Sequence, residues 1–186
     1  MGLLIAGVLL WIGLHLIPVA ATGPRQSLID KLGENGYKGI FSLLMLSAMG
    51  LMVMGWRGAT PSQLYIPGPE LRWAALGLNA VAFILLAATR RPSRIGRVVR
   101  HPQLTGVLVW AIAHLLANGD SRSLVLFGGF AVWCIIMIVL INRRDGAWVK
   151  PEAPSLLADG IGVIAGLVVY AIVIVIHPWL SGMPLY

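Results

Sequence analysis

The sequence predicts an all-α, polytopic membrane helical bundle of about six transmembrane helices. Three observations predict it. Hydrophobic residues make up 58% of the 186 residues, charged residues only 11%, and the mean hydropathy is +0.85. A water-soluble domain of this size needs more charge to stay dispersed. Apolar runs recur at the length a helix needs to cross a bilayer, and the breaks between them hold most of the Pro, Gly and charge. Finally, eleven of the fourteen Lys and Arg fall in alternate breaks.

Taken in order, the expected spans are 2–20, 39–56, 71–89, 103–118, 123–142 and 159–179, forming one domain over 1–186. The first span is expected to stay in place. VAATG around Ala20 and Ala21 resembles a signal cleavage site, but residues 1–10 lack the Lys or Arg of a signal n-region. The breaks at 21–38 (Arg25, Lys31, Lys38), 90–100 (Arg90, Arg91, Arg94, Arg97, Arg100) and 143–158 (Arg143, Arg144, Lys150) lie on one side. The opposite side carries only Arg57, Arg72 and Arg122. The positive-inside rule then places both termini outside the cytoplasm of a multi-pass bacterial inner-membrane protein. It also accounts for the net charge of +7 without a nucleic-acid partner. The partner read from composition is the lipid bilayer.

Chemistry is sparse. No acidic residue lies inside a span beyond Asp159 at the edge of the last, and the single cysteine, Cys134, reads as core filler. With no Cys-x-x-Cys there is no zinc or iron–sulfur pattern, and with no Cys-x-x-Cys-His any haem is non-covalent. The Walker and Gly-x-Ser-x-Gly motifs and a dinucleotide fingerprint in usable context are also missing. What remains are four histidines, His15, His101, His114 and His177, all in or beside a span. Ionisable side chains at membrane depth are costly and mark sites. His101 and His177 precede prolines at boundaries, whereas His15 and His114 are deeper.

GVLLWIGLHL (7–16) aligns without gaps to GVLVWAIAHL (106–115). The shared Trp-x-x-x-His puts Trp11 with His15, and Trp110 with His114, on one helix face. Three spans separate the segments, so they cross in opposite directions, which suggests a 3+3 inverted repeat. Two inward imidazoles can ligate one metallocycle from either side, and haem suits an apolar slot lined by Gly7, Gly13, Gly106, Ala111 and Ala113. The candidate iron ligands are His15 and His114, with His177 as the alternative. Trp11, Trp110, His101 and Asn118 are candidate cofactor-binding residues.

HLIPVAATGPRQSLIDKLGENGYKGIFSLLML (15–46), RHPQLTGVLVWAIAHLLANGD (100–120) and the LFGGFAVW stretch together resemble the NnrU family of bacterial membrane proteins, over essentially the whole chain. That resemblance implies a link to nitrite and nitric oxide reduction in denitrification. NnrU is similar in turn to 15-cis-ζ-carotene isomerase, a membrane enzyme using haem b held by two histidines. One sits in an early helix; the other lies thirteen residues after a further histidine. The resemblance therefore implies haem b on His114, thirteen residues after His101, and on His15, with isomerase-like redox chemistry on a small apolar substrate. The isomerase has a cysteine three residues before the second ligand; here Ala111 stands there, so a Cys-for-His ligand switch is not available.

Two other readings compete. Arg100, His101, Pro102 and Gly106 resemble the S-adenosylmethionine-dependent membrane methyltransferases of the isoprenylcysteine and phospholipid type. Those enzymes add a later acidic pair, whereas Asp120, Asp145, Glu152 and Asp159 each stand apart from other acids. The third reading is a non-catalytic accessory or assembly factor for a respiratory reductase.

Overall fold

The computed structural model describes residues 1–89 and 92–182. Arg90 and Arg91, two of the five arginines assigned to the 90–100 break, lie outside the described residues. All regular elements among the described residues are helical: α1 (Gly2–Ala20), α2 (Thr22–Gly58), α3 (Pro69–Ala87), a 3-10 turn (Ile95–Arg97), α4 (Pro102–Ala117), α5 (Ser121–Asp145) and α6 (Leu156–Ser181). The six expected spans each fall on a helix. Five helices are long and apolar enough to cross a bilayer, and the chain is a multi-pass membrane protein. The sixth, α4, has 16 residues. At 1.5 Å per residue it reaches about 24 Å, short of a hydrocarbon core of about 30 Å.

The largest departure from the sequence reading is at 21–38, expected as a loop. It is helical from Thr22, because i, i+4 pairs support it: Gln26 Nε2 donates to Asp30 at 2.8 Å, and Lys38 pairs with Glu34 at 2.8 Å. This polar helix is set off from the apolar part of α2 by Gly33, whose backbone (φ 70°, ψ 162°) is open only to glycine.

The helices group into two compact units. Unit 1 is Met1–Pro67 with Asn118–Gly146, and unit 2 is Gly68–Ala117 with the chain from Ala147 onward. In unit 1, α1 packs on α2 and α5 around Leu4, Val8 and Met52, with Trp11, Trp56 and Phe130 against them. Small residues let these backbones approach, as is usual where lipid removes the hydrophobic drive between helices. A side chain at Gly7 would stand 2.8 Å from the Met52 backbone nitrogen, and one at Gly55 would overlap the Leu4 backbone. The outward faces stay apolar; Leu43 and Leu46 are 65% and 63% exposed, as lipid-facing residues should be.

Unit 2 uses the same device around α3, which packs on α4 and α6. Gly106 meets the Ala82 carbonyl and Gly166 the Phe83 carbonyl, so Cβ atoms there would lie 3.1 and 2.9 Å from backbone oxygens. The Tyr170 hydroxyl donates to the Leu76 carbonyl at 2.8 Å. Asp159, in the first turn of α6, accepts from the Arg94 backbone N–H at 3.0 Å and pairs with its guanidinium at 3.2 Å. A 3+3 repeat pairs α1 with α4, α2 with α5 and α3 with α6. That pairing does not exchange the two units, because α2 and α5 belong to the same one.

Candidate functional site

Each Trp-x-x-x-His turn builds the same local arrangement. On α1, His15 Nδ1 lies 2.9 Å from the Trp11 carbonyl, and the two rings pack with centroids 4.5 Å apart. On α4, His114 Nδ1 lies 2.8 Å from the Trp110 carbonyl, with ring centroids 4.7 Å apart. A carbonyl only accepts, so Nδ1 carries the proton in both rings. The Nε2 lone pair is then the ligating or accepting atom of the neutral imidazole. A backbone carbonyl on Nδ1 is the usual outer partner of a histidine that ligates through Nε2. The helix puts the residue-i carbonyl within reach of a ring at i+4, and the rotamer each ring adopts in its packing completes the contact; His177, also helical, takes Ser181 instead.

The surroundings differ. His15 sits in unit 1 among aromatic rings: Trp133 of α5 at 4.8 Å and Phe41 of α2 at 6.5 Å. Phe130, one turn before Trp133, packs on Trp11 at 5.4 Å. Trp133 was not singled out from the sequence, although Phe130 and Trp133 at i, i+3 form an aromatic face inside the quoted LFGGFAVW stretch.

His114 sits in unit 2 beside His177 of α6, the two imidazoles 6.4 Å apart with planes inclined by 31°. Ser181 Oγ donates to the His177 carbonyl at 2.9 Å and lies 3.3 Å from His177 Nδ1. Ser181 thus ties the His177 ring to its own helix. Two imidazoles, each held through Nδ1, lie side by side within a single unit. The sequence pairing of His15 with His114 draws one residue from each unit; the neighbour of His114 in its own unit is His177.

Two other candidates take structural positions. His101 precedes Pro102 at the start of α4, and its carbonyl accepts the Thr105 N–H at 2.9 Å. Thirteen residues of helix, about 20 Å of rise, separate it from His114. The Asn118 carbonyl accepts from the Tyr65 hydroxyl at 3.1 Å. Around it the Asn118-Gly119-Asp120 turn is clamped by the 59–68 segment, with the Gly119 carbonyl accepting the N–H groups of Leu64 and Tyr65 at 2.7 and 3.1 Å. Any side chain at Gly119 would overlap the Tyr65 carbonyl, so only glycine fits.

Asp120 then caps α5. Its Oδ1 accepts the N–H groups of Arg122 and Ser123, and its Oδ2 the Ser123 hydroxyl at 2.7 Å. Burial works to raise the pKa of this carboxyl. The Ser123 hydroxyl, the two backbone donors and the Arg122 charge outweigh it and hold the group below its ordinary value. Burial, with the Asp120 charge adding to it, pushes the Tyr65 hydroxyl up.

A site closed by protein side chains alone needs three or four donors. Among the described residues no three His, Cys, Asp or Glu come together. A porphyrin supplies four nitrogens itself and asks the protein for one or two axial ligands, which is what paired imidazoles provide. The family model described as NnrU protein matches residues 3–185. The chain belongs to the NnrU family. Comparisons with curated proteins and with solved structures give no match. For this NnrU protein, the functional reading must therefore come from the site's own chemistry.

Proposed function

We propose that this NnrU protein is a haem b protein of the bacterial inner membrane, with the iron held in unit 2 by His114 and His177. The observation carrying this reading is the 6.4 Å pairing of two imidazoles, each tied through Nδ1 to its own helix. A pair of imidazoles is a donor set that would hold haem iron. Bound there, haem supplies a redox-active iron. Trp110 and Ser181 hold the two rings through Nδ1, and Ala111, fully buried, leaves His114 without a thiolate substitute on its own turn. The tie to nitrite and nitric oxide reduction, or to isomerase-like chemistry on an apolar substrate, rests on the family resemblance. So does the accessory role beside a respiratory reductase.

The test is the purified protein in nanodiscs. A Soret band with haem b by pyridine haemochrome is expected, lost in His114→Ala and changed to a high-spin form in His177→Ala. A colourless wild-type preparation that takes up no added haemin overturns the reading. Loss of haem in His15→Ala, with His177→Ala unaffected, moves the second ligand to α1.

A further inference from the structure

Unit 1 holds polar groups that its own fold leaves unmet. Among the described residues, the indole N–H groups of Trp11 and Trp133 and the Tyr37 hydroxyl are buried without a hydrogen-bond partner, and Trp133 is only 6% exposed. The two tryptophans flank His15, with ring centroids 4.5 and 4.8 Å from it and 5.8 Å from each other. Phe41 adds a wall at 6.5 Å and carries the cluster on to Tyr37, 6.1 Å beyond. His15 itself spends Nδ1 on the Trp11 carbonyl, which leaves Nε2 as an acceptor. Within the spans water does not satisfy the two indoles, so their unmet donors beside the His15 imidazole call for a ligand.

The cluster also says which ligand. Its walls are flat aromatic rings, which stack on a planar ring. Its donors beside His15 are neutral indoles. The cation of the cluster, Arg25, whose buried Nε also lacks a partner, lies over the Tyr37 ring at 5.3 Å, beyond Phe41 from His15. A carboxylate or phosphate head at His15 would lack a cation beside it. Protein-only metal ligation lacks donors, since among the described residues no three potential ligands group together and His15 is the single histidine of unit 1. What fits is a neutral, lipid-soluble ring with oxygen at both ends, able to accept from an indole N–H and, when reduced, to donate a hydroxyl to His15 Nε2.

We propose that unit 1 binds a quinone or quinol head group at His15, Trp11 and Trp133. It shares no residue with the haem site proposed at His114 and His177 and does not rest on that reading. The inference concerns binding alone.

The test uses the full chain in nanodiscs, titrated calorimetrically with decylubiquinone and with its quinol, with haem content read in parallel. One saturable site is expected. Trp133→Phe and Trp11→Phe keep the rings and remove the N–H, and each weakens quinone binding about five-fold, the effect of one neutral hydrogen bond. His15→Leu weakens the quinol more than the quinone, while His114→Ala loses haem and keeps quinone binding. Absence of saturable binding by wild type overturns the proposal, as does unchanged affinity in both Phe variants. Full displacement by oleate assigns the site to fatty carboxylates and overturns it too. Loss of haem in His15→Leu without quinone binding in wild type makes His15 an iron ligand instead. The conservative Phe variants, checked by circular dichroism, keep the test valid if His15→Leu misfolds.

Discussion

The two Trp-x-x-x-His turns are the same object in different company. Ring spacing and Nδ1 bond agree to within about 0.2 Å between α1 and α4. His15 has tryptophans and a phenylalanine around it, while His114 has another imidazole. The lesson is that two turns can hold a histidine in the same way without deciding what the histidine is for. The partner across the interface decides that.

Mutations break or sharpen this comparison, the largest effects first. His114→Ala and His15→Ala remove equivalent imidazoles, yet haem content is expected to fall more than ten-fold in the first and by less than two-fold in the second, about 1 kcal/mol or more separating them. Equal losses would show that the two turns serve one site. The next contrast concerns the scaffolds. Gly55→Leu drives a side chain into the Leu4 backbone of unit 1, and Gly166→Leu one into the Phe83 carbonyl of unit 2. Each is expected to cost about 3 kcal/mol or more, because backbone cannot yield as a side-chain tip does. Thermal unfolding in detergent measures it. Unchanged melting of Gly55→Leu would mean that α1 and α2 do not pack as described.

Smaller effects follow at the edges of unit 1. Gly33→Ala places Cβ in a backbone conformation that suits glycine, at a cost of about 1–3 kcal/mol. The same change at Gly77, within α3 and with open space around it, should be neutral or slightly stabilising. The smallest effect is at the α5 cap, where Asp120→Ala should cost about 1 kcal/mol. Its pH dependence has a definite sign. The folded pKa lies below the unfolded value of about 3.9, so the carboxylate's contribution is complete above that value and is lost as pH falls through the folded pKa. Acid titration of wild type and Asp120→Asn checks this; parallel curves would remove the cap from the account.

Much of the fold was legible because its cause is one-dimensional. Bilayer thickness fixes helix length, so apolar runs marked all six helices, most bounds within three residues. The 21–38 segment was missed because a polar i, i+4 hydrogen bond and one i, i+4 ion pair support the helix there without any apolar signal. The histidine turns were legible for the same reason as the spans: spacing of four is local geometry. Trp133 and the meeting of His114 with His177 were not, since each depends on which helices pack together.

The sequence by itself thus determined the membrane class, the helices, and the face that each tryptophan shares with its histidine. Those properties follow from periodicity and hydropathy along one chain. Only the tertiary structure decided that α1 packs with α2 and α5, that α3 packs with α4 and α6, and which rings stand around each histidine. In lipid every helix face is apolar, so hydrophobic patterning cannot name a helix's neighbour. Close glycine contacts and a few polar groups do, and their partners are visible only in three dimensions.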